Sequence, residues 1–370
     1  MMEDGGEDWE WECNGTSETE EAKINGGLEE ERIENLKYYA YGVAMPIVCC
    51  LGILGNSLNL LVLTRPNMKA ASYNYMRAYT GSALAALFFV VFFCVRILEH
   101  REVGPWKSLA VAFFHVYLEL YFGNALLANG VMMVMALTVE RFTAICHPEK
   151  HVGADRKKSL MIVFASPILC FVSHAPFLLN SRIVTCPTAD PGRPLFFRRD
   201  NETFHVSLVY QIYLWILQAV FRIAPVIILV YLNLRIAIAY RRVCRRRRGF
   251  RLRGRGASGT DQLSFADQRR LLLLLGGTST LFFVCVSPMA VMSVMFSEIR
   301  MNQFPFEVFR AVANVLEITN FSLTFYIYCL LSRDFRETFF RTVGLKSWLS
   351  TVPSRPSACV REAPETDDGL

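Results

Sequence analysis

The apolar residues of the chain fall in seven blocks, at about 38–64, 73–99, 108–143, 158–180, 206–238, 268–297 and 305–331. Each block is long enough to cross ~30 Å of hydrocarbon at 1.5 Å per residue, and core helices of soluble proteins rarely need such runs. Within lipid, backbone polar groups must be satisfied inside the segment or in a closed barrel. The blocks lack the two-residue alternation of barrel strands, so they read as helices. The polar gaps are too short to cover a large soluble core. The sequence therefore predicts an all-α membrane protein, a bundle of seven transmembrane helices. A hydrophobic fraction of 53% also excludes a disordered or collagen-like chain.

The net charge of +6 hides two opposed ends. Residues 1–37 carry 13 acids and 3 bases and have no apolar signal-peptide core, so they read as an acidic disordered arm. The first helix would then be an uncleaved anchor. The gaps on one side of the seven blocks carry 20 bases against 10 on the other, which places the base-rich side in the cytosol and the N-terminus outside. The glycosylation sequons at Asn14 and Asn201 fall on the outer side, and a third, at Asn320, lies within a helix and should be unused. The 11 cysteines show no CxxC spacing and the histidines no metal spacing. HExxH, GxSxG and P-loop patterns are absent, so neither an enzyme nor a cofactor is expected.

The third block ends in Glu140-Arg141-Phe142, preceded by Leu137-Thr138-Val139 and followed by Cys146-His147-Pro148. Charge at a membrane edge is costly and calls for a role. Gly55-Asn56 stands in the first block, Pro225 in the fifth, Phe282-x-x-Cys285-x-x-Pro288 in the sixth, and Tyr328-Cys329 precedes Leu331 to Arg336. This ordered set resembles the rhodopsin-like (class A) G-protein-coupled receptors over residues 38–343. Thr324-Phe325-Tyr326-Ile327-Tyr328 and Leu232-Asn233 are similar to the branch of FMRFamide and sex-peptide receptors and related orphan receptors.

The resemblance implies a receptor domain over 38–331, a short helix eight over 332–343 and a cytoplasmic tail over 344–370. It implies a plasma-membrane receptor for a neuropeptide or small peptide-like ligand, with heterotrimeric G protein, arrestin and membrane lipids as partners. Glu140, Arg141, Phe142, Phe282, Pro288 and Tyr328 would serve coupling and activation. Arg141 would pair with Glu140 at rest and turn to the G protein when helix six swings out. Pro288 removes a backbone donor and would supply a hinge or, alternatively, a static kink; the same choice applies to Pro225.

Departures from the family pattern set further expectations. Ala83 stands for the helix-two acid, and Gly130 and Thr324 fall at other sodium-site positions, so no family-type sodium site is expected. Val286 replaces the helix-six tryptophan. Val116 stands where helix three usually has a cysteine, which leaves Cys186 to pair with Cys13 or Cys94, or to stay free. Trp106 resembles the family's outer-loop tryptophan, a cap on the bundle.

Ionisable residues inside spans are functional candidates by default. Arg96, Glu119, Arg222 and Glu317 are the candidate ligand-binding residues, with Glu99, His115 and His174 nearby in the outer half. Arg222 needs an acid, and Glu119 and Glu317 are the available ones. The alternative is an internal salt-bridge network that only locks helices, with Arg96, Glu99 and His115 snorkelling to the interface. Tyr117, Tyr121, Phe122, Tyr210, Tyr213, Trp215 and Phe221 would line the pocket or face lipid. Asn124, Asn129, Asn314 and Asn320 suit interhelical hydrogen bonds. Nine arginines between 241 and 255 suit anionic lipid or an acidic G-protein face; their place between two spans argues against nucleic acid. Two other functions stay open: a non-signalling seven-helix binding or scaffold protein, and a transporter, for which the expected inverted repeats are missing.

Overall fold

Long apolar stretches become helices here because lipid offers the backbone no other partner. The computed structural model describes residues 22–66, 68, 71–99, 103–147, 156–187, 194–252, 276–292 and 303–344. Helix one combines Ala22–Lys37, a π turn at Tyr38–Ala44 and Met45–Leu63. Helix two is Ala71–Leu98, helix three Leu109–Cys146 and helix four Arg156–His174 with a 3₁₀ turn Ala175–Leu179. Helix five runs over 208–252. Five helices, Glu29–Leu63, Ala71–Leu98, Leu109–Cys146, Lys157–Leu179 and Leu208–Arg242, are long and apolar enough to cross a membrane, and Gly276–Met292 is a shorter apolar helix six. Their outward faces are apolar: Phe164, Ile168 and Val172 on helix four and Val209 on helix five are all more than 60% exposed. Water would not tolerate such a face on a monomer, whereas lipid requires it.

Two boundaries differ from the sequence reading. Ala22–Lys37 is helical, where an unstructured arm to residue 37 is expected. Its second half is rich in Leu, Glu and Arg, all good helix formers, and Arg32 lies 4.3 Å above the Phe304 ring of helix seven. Helix seven is broken at Leu323 into Phe304–Ser322 and Thr324–Leu331. The hydroxyls of Thr319, Ser322 and Thr324 donate to carbonyls one turn back, at Val315, Ile318 and Asn320. Such back-bonding bends helices. A final helix, Arg333–Val343, is started by the Ser332 hydroxyl accepting from Phe335 N and ended by Gly344 at φ 82°.

Helices one and seven approach so closely that a Cβ on Gly52 would lie 2.3 Å from Ser322 Oγ. The main core lies in the inner half, where Tyr79 stacks on Phe321 and both pack with Phe282, Val286, Met133 and Tyr328. Ala83 is fully buried in it, and Thr324 hydrogen-bonds Tyr79.

Between helices four and five, β1 (Ser181–Cys186) and β2 (Leu195–Asp200) form an antiparallel hairpin with Ser181 opposite Asp200. Trp106 joins β2 as a third strand segment, exchanging backbone hydrogen bonds of 2.9 Å with Phe196. Gly104 allows this approach, since at φ 122° its Cβ would meet the Phe196 carbonyl at 2.8 Å. Trp106 is buried and stacked on His115, so it does cap the outer end of helix three.

Candidate functional site

A cavity of about 200 Å³ opens among helices one, two, three, five, six and seven, toward the end of the bundle that carries the loop between helices four and five. Glu119, Arg222 and Glu317 supply its charge, Asn124 and Asn314 its amides, and Tyr41, Phe89 and Phe93 its aromatic wall. Pro225 helps to shape helix five beside it. Pro225 has no N–H for the carbonyl one turn back, and the helix answers with a π turn, Ala219–Ile223, that carries Arg222.

Glu119 and Glu317 play different parts. Arg96 donates to both oxygens of Glu119, from Nε at 3.3 Å and from Nη2 at 3.1 Å, and His115 Nδ1 lies 2.5 Å from Oε2. The Arg96 and Glu119 side chains are 5% and 2% exposed. Arg96 also lies over the Phe93 ring. Arg96 and His115 therefore do not snorkel outward; burial among partners costs a charge less than a reach through unpaired protein. Arg222 meets Glu317 instead, by a single contact of 3.5 Å between Nη2 and Oε2. Of the four candidate ligand-binding residues, three line the cavity and Arg96 does not.

The aromatic lining comes from other residues than the seven expected. Trp215 is half-exposed on the outer surface of helix five, and Tyr213 donates to the Ser173 carbonyl. Phe221 packs against His174, whose Nδ1 bonds the Cys170 carbonyl. Tyr41, Phe89 and Phe93 were not singled out because helix periodicity does not tell a lipid-facing aromatic from an inward one. Asn129 does bridge helices, donating to Ser82 and accepting from Ser166, and Asn314 donates to Tyr41. Asn124 donates to the Leu120 carbonyl of its own helix. Asn320 is buried, as its helix position requires. Of the two outer sequons, Asn201 caps the short helix Glu202–His205, while Asn14 lies outside the described residues.

At the inner end, Glu140 and Arg141 do not pair directly. Ser72 of helix two donates to Glu140 Oε1 at 3.1 Å and accepts from Arg141 Nη2. Adjacent residues on a helix point about 100° apart, and here Ser72 bridges the two. Phe142 stacks edge-on against His147. Phe282 and Tyr328 are buried in the core, with Tyr328 against Phe335. Pro288 lies within Gly276–Met292. Cys94 is a buried free thiol, whereas Cys186 is disulfide-bonded, which removes two of its three expected states. Beyond Arg242, the side chains of the basic run lie outside the described residues.

The sequence profile described as 7 transmembrane receptor (rhodopsin family) matches residues 55–330. The chain is 31% identical over 317 residues to a Caenorhabditis elegans protein named probable G-protein coupled receptor B0563.6, covering 81% of this chain and 68% of the relative. It is 27% identical to the worm's probable G-protein coupled receptor AH9.1, over 89% of this chain and 81% of the relative. It is 26% identical to the Drosophila melanogaster FMRFamide receptor, over 84% of this chain and 54% of that one. Proteins of this kind are signalling receptors rather than enzymes. With seven helices in order, a cavity among them and a profile match over most of its length, the chain belongs to the rhodopsin family of seven-transmembrane receptors.

Proposed function

We propose that the chain is a plasma-membrane receptor for a neuropeptide or small peptide-like ligand, with its N-terminus outside, and that it signals to heterotrimeric G proteins. The observation that carries this is the Arg222–Glu317 pair, held by one 3.5 Å contact in the wall of a cavity of about 200 Å³. Arg222 offers several N–H donors to a carboxylate or amide carbonyl, and Glu317 accepts from an amine or amide. A ligand carrying both kinds of group can satisfy each residue better than one long contact does. The likeness to a receptor named for FMRFamide supports a peptide-like ligand.

Two helices connect the cavity to the inner end. Helix seven carries Glu317 in the cavity wall, Phe321 on Tyr79, and Tyr328 near the cytosolic end. Helix two carries Phe93 in the cavity wall and Ser72 on Arg141. A ligand that separates Arg222 from Glu317 shifts helix seven against helix two. That frees Arg141 from Ser72 to meet a G protein, with Glu140, Phe142, Phe282 and Pro288 completing the moving set. Arrestin and inner-leaflet lipid are further partners of the same face.

The test is recruitment of G proteins in cells exposed to a panel of short amidated and free-acid peptides, with Arg141→Ala as the control. Arg222→Ala and Glu317→Ala should weaken the response while surface expression is kept. Val286, buried where the family has tryptophan, favours a second reading, a binding protein that does not signal. That reading wins if no G-protein class is recruited, basally or with any peptide that binds.

A further inference from the structure

Cys49 of helix one and Cys94 of helix two are free thiols, 0% and 2% exposed. Their side chains hydrogen-bond to each other across the interface of the two helices. Both belong to an apolar cluster that joins helices one, two and seven, with Met45, Leu87, Ile97 and Ile318 around them. Cys50, the next residue, is also a free thiol but is exposed. The cavity wall is close to the pair. Met45, one turn before Cys49, and Phe93, the residue before Cys94, both line it. A single buried cysteine behaves as a small apolar side chain, but two thiols that touch have a chemistry that one does not. They need only rotate about χ1 to bring their sulfurs to the bonding distance of ~2.05 Å. A disulfide has no S–H to satisfy, so apolar surroundings accept it as readily as the two thiols.

We propose that Cys49 and Cys94 are a redox-active dithiol, a modification site that hydrogen peroxide closes to a disulfide joining helices one and two. A protein oxidant cannot reach sulfurs buried to this degree. Peroxide is small and uncharged, and the cavity brings it to within one turn of Cys49. One cysteine, as its thiolate, attacks a peroxide oxygen. The O–O bond breaks, a sulfenic acid forms, and the departing hydroxide takes up the thiol proton as water. The second sulfur then attacks the sulfenic sulfur. The S–O bond breaks, the S–S bond forms, and a second water leaves with the second thiol proton. The two thiols lose two electrons in all, and one peroxide becomes two waters. Closing the bond fixes helix two, which carries Phe93 in the cavity wall, to helix one. This inference rests on the contact between the two thiols and not on the identity of a ligand or on signalling.

Two measurements test it. Full-length receptor purified in detergent is exposed to hydrogen peroxide, denatured with N-ethylmaleimide present, and digested without reduction for mass spectrometry. The expected product is a peptide pair joining Cys49 to Cys94 that grows with peroxide and separates on addition of dithiothreitol. Cys49 and Cys94 both alkylated at every peroxide concentration, or either one joined to another cysteine, overturns the proposal. This measurement needs no variant, so a folding defect does not confuse it. In the second, dimedone, which labels sulfenic acids, is added with the peroxide. At least one of the single variants Cys49→Ser and Cys94→Ser should be labelled at its remaining cysteine of the pair, because the sulfur that would displace water is gone. The parent chain and Cys50→Ser should form the joined peptides alike. Loss of the joined peptides in Cys50→Ser, or label at neither remaining cysteine, overturns the proposal.

Discussion

Arg96–Glu119 and Arg222–Glu317 are the same chemical pair in two settings. The first is closed. Both Glu119 oxygens accept from Arg96, His115 adds a third group, and the side chains are 5% and 2% exposed. The second is open. One contact of 3.5 Å joins the partners, at 18% and 10% exposure, and both face the cavity. A closed pair holds helices two and three in register, and its charges are already hydrogen-bonded to each other. An open pair contributes little to stability, and its unused donors and acceptors are what a ligand can take. Intramembrane charge thus marks two different things in one bundle, and the number of partners on each oxygen tells them apart.

The largest effect should come from breaking the closed pair. Glu119→Ala leaves Arg96 charged, buried and without its carboxylate, a change that costs ~3–5 kcal/mol for buried pairs. Receptor purified in detergent should denature at a markedly lower temperature, and surface expression should fall. Unchanged thermal stability would mean that the cluster is not a lock. His115→Phe should cost less, ~1.5 kcal/mol, because it removes one hydrogen bond to a charged group and keeps the ring stacked on Trp106. Thermal denaturation of the same preparation measures it.

The contrast between the pairs was only half visible in the sequence. Seven blocks of the right length fix the class of fold because lipid removes the alternatives. Arg222, Glu119 and Glu317 stood out because a charge in an apolar run is rare. Which acid meets which arginine did not follow, since it depends on the rotation of helices about their axes. The π turns at Phe114–Leu118 and Ala219–Ile223 change that rotation just before Glu119 and at Arg222. The same uncertainty hid Phe89 and Phe93, which read equally well as lipid-facing. The link between Glu140 and Arg141 through Ser72 was not legible either. Nothing in the spacing pointed to Ser72, which comes from another helix.

The smallest stability effect should come from the open pair, and it sharpens the comparison most. Arg222→Ala and Glu317→Ala should each lower stability by less than Glu119→Ala does, because the pair makes one long contact and borders the cavity. Their coupling in a double-mutant cycle should be of the same size. Arg96 and Glu119 should couple several times more strongly in the same assay. The functional scale should run the other way. Loss of one ligand contact worth 1.4 kcal/mol weakens binding about tenfold, so Arg222→Ala should move the peptide dose–response by about that factor with near-normal melting. The charge-reversed double variant, Arg222→Glu with Glu317→Arg, restores the ion pair but exchanges donor and acceptor across the cavity. Its melting temperature should recover while the peptide response stays impaired, because a ligand senses which wall carries the positive charge. Full recovery of both would mean that the pair serves only to join helices five and seven, and the distinction between a lock and a ligand site would then fail.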